Sequence, residues 1–295
     1  MFSWISVPVG IVLIFLVVRD ILLTLTTPTG RGSISRYLMA LTWRAMRPVI
    51  RRWRPYRELA GPITFLGVIS VWTAMIVVGW GLIYWPFLPD AFLVDFGLEL
   101  DRDRPGNFVM SIYFSVVVLA TLGFGDIVPT GTWLRLLVPL EGLVGFGLIT
   151  AGISWFLSIF PALARRRRLA HQIALVREAE DSTEKYWEPE TMATLLDSFS
   201  TQLIDIRSDQ IQFPVIYYFR DADPAGELVP NLRYLMEMAV WAEDEYGEVG
   251  SPLYLHQHML RRAIDDYLRA IATQFLDADT DDTDKLLDIL AEDRM

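Results

Sequence analysis

The chain has 295 residues, 53% of them hydrophobic, a mean hydropathy of +0.32 and 10 Trp, which is too apolar for an ordinary water-soluble globular protein of this length. It contains no cysteine, so disulfides, thiolate nucleophiles, thiolate zinc sites and iron–sulfur clusters are excluded. Net charge is −10, but residues 1–168 carry 16 Arg/Lys against 9 Asp/Glu while residues 169–295 carry 10 against 27, so a basic membrane part gives way to an acidic water-facing part at Arg165, Arg166, Arg167 and Arg168.

In chain order, Met1 to Val18 is uncharged, Arg19 and Asp20 interrupt, and Ile21 to Thr27 resumes the apolar run. Residues 1–28 read as an N-terminal transmembrane helix, because a signal peptide needs basic residues before its apolar run and a small-residue cleavage site after it. A cytoplasmic, non-spanning segment fits the charges equally well. Arg19 and Asp20 face different sides of the helix, so each needs its own partner or the interface. Residues 29–58 form a basic segment in which Ile34, Leu38, Leu41, Ala45 and Val49 recur at helical spacing opposite Arg36, Arg44, Arg47 and Arg51. Trp43 and Trp53 suit an amphipathic helix lying on the inner leaflet; a solvated basic linker is the alternative. Pro48 predicts a kink.

Leu59 to Pro89 holds no charge, and residues 61–85 at ~1.5 Å each cross a ~30 Å hydrocarbon layer as an outer helix. Leu136 to Ala164 holds only Glu141 and ends in the arginine run, predicting an inner helix over 133–164. The loop 86–106 is net acidic and the segment 29–58 basic, so the positive-inside rule places that segment and the arginine run in the cytoplasm, with the N-terminus outside.

Between these spans, Asn107 to Ala120 is apolar but too short to cross a bilayer, and predicts a pore helix over 107–120 that leads into Thr121-Leu122-Gly123-Phe124-Gly125-Asp126. Non-helical backbone at membrane depth must be buried in protein or line a watery cavity. Glycines at alternate positions, Gly123 and Gly125, permit the left-handed dihedrals that aim successive carbonyls at one axis. The carbonyls of Thr121, Leu122, Gly123 and Phe124 would then replace a cation's hydration shell, with Gly125 completing the ion-binding filter 121–126. The Thr121 hydroxyl forms the innermost ring, Leu122 and Phe124 point outward as packing, and Asp126 sits at the outer mouth.

Tyr113-Phe114-Ser115 together with Thr121 through Pro129 resembles the pore helix and filter of the potassium-channel superfamily, in particular the bacterial two-helix-pore channels, over roughly Ser111 to Gly147. Thr121, Gly123, Gly125 and Asp126 match the family's filter. Phe124 stands where Tyr is usual, without the hydroxyl that can bond to the pore helix; Val118 and Ala120 stand where Thr is frequent, and Val117 where some members have a carboxylate. The resemblance implies a passive potassium-selective channel and, together with the symmetry of an axial carbonyl ring, a homotetramer. A weakly selective cation channel, or a non-conducting membrane scaffold with a partner-binding helical domain, are the alternatives.

The resemblance also makes Glu141 a candidate for supporting the filter from behind; pairing with a neighbouring subunit at the interface is equally consistent. Gly142, Gly145 and Gly147 permit bending or close packing, which makes Gly145 a gating candidate. Thr150, Ser154 and Ser158 repeat every four residues and fit an inner cavity.

Residues 165–295 read as a cytoplasmic acidic helical domain with helices at Leu169 to Glu180, Glu190 to Asp205, Leu228 to Tyr246 and Leu253 to Leu276. No Gly-x-Gly-x-x-Gly follows a strand, and alternating strands of a jelly roll are scarce. His256 and His258 are too poorly spaced for a metal site, and Asp277, Asp279, Asp281, Asp282 and Asp284 read as a solvated acidic linker. No span carries Arg at every third position, so voltage sensing is not expected. With no nucleophile–base pair and no phosphate loop, the chain is not expected to be an enzyme, and no cofactor is expected beyond potassium ions in the filter. Its expected partners are potassium, the lipid membrane and three further copies, not nucleic acid; an unidentified regulator of the C-terminal domain is left open. The whole is an all-α membrane protein: a potassium-channel-like pore with an extra N-terminal transmembrane helix and a soluble helical C-terminal domain, expected in a bacterial inner (plasma) membrane.

Overall fold

The computed structural model describes residues 5–27, 33–52, 58–94, 106–182, 188–221, 226–246, 251–276, 280 and 282–294. Trp53, Asp277, Asp279 and Asp281 lie outside the described residues. The chain is an all-α membrane protein. Its helices are α1 (Ser6–Thr26), α2 (Ser33–Arg52), α3 (Ala60–Tyr84), α4 (Gly106–Leu119), α5 (Thr132–Ser182), α6 (Pro189–Gln212), α7 (Leu228–Tyr246), α8 (Pro252–Phe275) and α9 (Thr283–Arg294). Among the described residues, three segments are long and apolar enough to cross a membrane: Ser6–Thr26, Ala60–Phe87 and Thr132–Asp181. Two short strands, β1 (Phe92–Val94) and β2 (Ile127–Pro129), pair antiparallel with Leu93 opposite Val128.

The chain divides into two compact units. One takes in the described residues up to 27, 33–38 and 66–157. There α1 packs on α3 through small residues: a Cβ on Gly10 would lie 2.4 Å from the Gly79 carbonyl oxygen, and the Ser6 hydroxyl donates to the Leu82 carbonyl at 2.8 Å. Such contacts let backbones approach where lipid offers no hydrophobic drive. At the C-terminal end of α1, the hydroxyls of Thr26 and Thr27 donate to the carbonyls of Leu22 and Leu23 one turn back. Arg19 is exposed, whereas Asp20 is 2% exposed and fully engaged. Its carboxylate accepts from the backbone N–H groups of Ile34 and Ser35, the Ser35 hydroxyl and the Trp72 indole. Asp20 therefore caps the start of α2, placing a negative charge at a helix N-terminus.

The other unit comprises the described residues of 39–65 and from 158 onward. Its core is built on α6, α7 and α8, whose apolar residues recur at alternating spacings of three and four, as at Met192, Leu196, Phe199, Leu203 and Ile206. Ser251 and Pro252 open α8, the Ser251 hydroxyl accepting from the Tyr254 N–H at 3.1 Å.

On α2, Leu41 and Ala45 of the apolar set are exposed, while Ser35, Met39 and Trp43 are buried. Three expectations need correction. Trp43 does not rest on lipid but packs against Tyr217 and Tyr218, ring centroids 6.4 and 5.6 Å away. The inner helix expected over 133–164 runs on to Ser182, because the arginines and the residues after them contain no helix breaker. The acidic linker contains the start of α9, where Asp282 accepts from the N–H groups of Asp284 and Lys285. The backbone of α2 stays helical through Pro48.

Candidate functional site

Helix α4 ends abruptly. The Leu122 N–H donates to the Val117 carbonyl and the Thr121 N–H to the Val118 carbonyl, both at 2.9 Å, the paired bonds that close a helix around a left-handed residue just beyond its cap. That residue is usually glycine. In this chain it is Thr121, with φ +57°, although the left-handed region costs an L-residue roughly 1–2 kcal/mol.

The same conformation recurs at alternate positions, with φ +58° at Gly123 and +77° at Gly125. A backbone that alternates hand turns successive peptide units to one side, which a run of single-handed residues does not do. Residues 121–125 are exposed, and nothing lies within 4 Å of a Cβ built on Gly123 or Gly125. Leu122 and Phe124 are exposed within the single chain rather than packed against it.

Beyond the loop, Asp126 is held at both oxygens. The Tyr113 hydroxyl on α4 donates to Oδ2 at 2.7 Å, and the Ile127 N–H donates to Oδ1 at 3.1 Å. Phe124 has no hydroxyl to tie the loop to the helix; Tyr113 makes the tie in the reverse sense, helix to loop. The β1–β2 pair follows directly, and the Thr130 N–H donates to the Ala91 carbonyl at 3.0 Å. Arg135 donates to the Pro129 carbonyl at 3.0 Å and takes no part at Glu141.

Behind the loop, Glu141 on α5 has 0% exposure. Its carboxylate accepts from the Ser115 hydroxyl of α4 and, at 2.8 Å, from the Tyr84 hydroxyl of α3. One buried side chain thus joins the three helices around the loop, and its partners lie in the same chain. A buried carboxylate is tolerable only when hydrogen-bonded. Aromatic rings close the space around it, Tyr84 meeting Phe114 and Phe92 edge-on at 5.2 and 6.1 Å.

Gly145, one turn further along α5, is a packing position: a Cβ there would lie 2.1 Å from the Leu119 carbonyl oxygen. Gly142 and Gly147 are under no such constraint. Thr150, Ser154 and Ser158 are exposed on α5, as are Leu136, Leu140, Leu143, Phe146, Ile149 and Ile153. The sequence singles out Glu141 but not Tyr84, and Tyr113 and Ser115 enter it only through the resemblance, without a role of their own. A signal existed for Ser115, a polar residue in an apolar helix, which at membrane depth must find a partner.

Residues 71–160 match the model of a family described as ion channel. The chain is 24% identical to an uncharacterized membrane protein, YdjJ, of Bacillus subtilis (strain 168), over 86% of this chain and 74% of that one. It is 42% identical over 56 residues to the inward rectifier potassium channel Kirbac3.1 of Paramagnetospirillum magnetotacticum, a stretch covering 19% of each chain. No solved structure gives a significant match. The segment that holds the alternating loop and its braces is therefore similar to ion channels, within an otherwise helical membrane protein.

Proposed function

We propose that this chain is one subunit of a homotetrameric, passive, potassium-selective channel, with Thr121 to Gly125 as its ion-binding filter and Asp126 at the outer mouth. The observation that carries the reading is the alternation of hand at Thr121, Gly123 and Gly125 in an exposed loop at the end of a half-length apolar helix. Four such loops around one axis would present rings of carbonyl oxygens that substitute for the hydration shell of a potassium ion. One loop cannot coordinate an ion on all sides, and the exposed Leu122 and Phe124 are then available to neighbouring copies. Conduction needs no covalent chemistry and no cofactor.

Glu141 and Tyr113 keep the loop in place from behind and from above, and Gly145 sets the approach of the inner helix. On this reading the protein lies in a bacterial inner membrane with residues 29–58 and the C-terminal domain in the cytoplasm, the orientation that its basic segments favour. Purified protein in liposomes should pass potassium far faster than sodium. Equal fluxes would favour a weakly selective cation channel, a reading motivated by Phe124, which cannot anchor the filter through a hydroxyl. No flux of either ion would sink both.

A further inference from the structure

One short turn, residues 214–220, gathers contacts from four other parts of its unit. The turn is almost wholly buried: Val215, Ile216, Tyr217, Tyr218 and Phe219 are all core residues. It receives α5 through Arg166, which is 3% exposed and donates from its two terminal nitrogens to the carbonyls of Ile216 at 2.9 Å and Phe219 at 2.7 Å. It receives α3 through Gly61, where a Cβ would lie 2.3 Å from the Phe219 ring. It receives α2 through Trp43, which packs against Tyr217 and Tyr218 while the Arg220 guanidinium sits 5.0 Å over the indole. From the far side come the acidic domain's own helices: Phe275 stacks on Tyr217 at 4.2 Å, and Asp293 accepts from the Tyr217 hydroxyl.

The flanking arginines reinforce the grip. Arg165 makes a two-pronged pair with Asp209 at 2.7 and 2.6 Å, and Arg167 pairs with Asp221 at 2.5 Å. Three of the four arginines that sequence patterning assigns to the lipid boundary are thus bound by protein groups. A guanidinium spanning two carbonyls has a fixed fork geometry that an ammonium cannot reproduce. The Phe219 ring against a bare glycine is a contact without slack.

We propose that the 214–220 turn is a gating joint, with Arg166 and Phe219 as its positioning residues. Changes in the packing of α8 and α9 on the turn move the start of α3 and the Arg166 stretch of α5, and with them the fraction of time the pore conducts. The proposal rests on the channel reading above. It assigns the acidic domain a regulatory role and names the contacts that carry it.

The test is single-channel recording of the full-length protein in bilayers, comparing wild type with Arg166→Gln, Arg166→Lys, Gly61→Ala and the pair Gly61→Ala with Phe219→Leu. Arg166→Gln and Gly61→Ala should change open probability by about tenfold or more, in the range of a typical coupling between sites. Unitary conductance and the potassium-to-sodium ratio should stay at wild-type values. Arg166→Lys, which reaches one carbonyl rather than two, should fall between, and Phe219→Leu should restore Gly61→Ala by vacating the space its methyl needs. Open probabilities within twofold of wild type for the folded Arg166→Gln and Gly61→Ala channels overturn the joint. So does a Gly61→Ala defect that the paired substitution leaves unrelieved. A wild-type protein that passes no current overturns the channel reading instead.

Discussion

On the channel reading proposed above, Thr121 has two jobs that pull against each other. Its backbone sits where glycine is cheapest, at φ +57°, while its side chain offers the hydroxyl expected at the innermost ring. Thr121→Gly should therefore relieve about 1–2 kcal/mol of backbone strain per subunit and raise thermal stability, while lowering potassium preference in a liposome flux assay; a variant with unchanged selectivity would remove the hydroxyl from the coordination scheme. Glu141 poses the opposite case, since its replacement by Ala leaves the Tyr84 and Ser115 hydroxyls buried without their acceptor. That should cost roughly 2–5 kcal/mol, read as a drop in melting temperature, with Glu141→Gln milder because one acceptor oxygen survives. Only part of this arrangement is legible in the sequence. Gly123 and Gly125 can be read because glycine is the residue that backbone reversal selects. Thr121 cannot, since nothing in its type forecasts a left-handed conformation. The partners of Glu141 lie 26 and 57 positions away, beyond any periodicity argument.

Among the elements, the apolar spans announce themselves, because so long a run without charge would be insoluble in water and belongs in lipid. Helix α2 does not, because Trp43 satisfies two environments alike: a ring with one polar atom suits a lipid boundary and a protein interface equally well. Helix α9 is hidden by its composition, as the aspartates around Asp282 mask Leu286, Leu287 and Leu290, which are buried at helical spacing. Asp282 in fact starts that helix, and the N–H of Lys285 holds its carboxyl below the ordinary carboxylate range. A carboxylate depressed in the folded state adds stability above its unfolded range and loses it as pH falls through the folded value. Amide exchange should therefore show α9 fraying first as pH drops below about 4, and Asp282→Ala should fray it at neutral pH; identical exchange in the variant would remove the cap. In the segment similar to ion channels, Gly145→Ala should push α5 off the Leu119 carbonyl and, on the proposed function, abolish current while the protein still reaches the membrane. Normal conduction would show that the two helices separate at no functional cost.

For the molecule as a whole, orientation is the property on which every functional statement depends, and the chain is unusually suited to measuring it. It contains no cysteine, so each introduced thiol is the only one present. Arg36 and Arg168 are exposed within the two basic segments, and Leu93 is exposed on β1 next to the net acidic loop. Basic segments stay on the cytoplasmic side because moving their charges across the membrane during insertion is unfavourable. A membrane-impermeant maleimide applied to intact spheroplasts should therefore label Leu93→Cys at once, and should label Arg36→Cys and Arg168→Cys only after permeabilisation. The three sites are also related by chain length, since α3 must cross between the first and second and α5 between the second and third. A uniform pattern at all three would mean that α3 and α5 do not both cross, and a reversed pattern would put the acidic domain outside, where no cytoplasmic signal could reach the 214–220 turn.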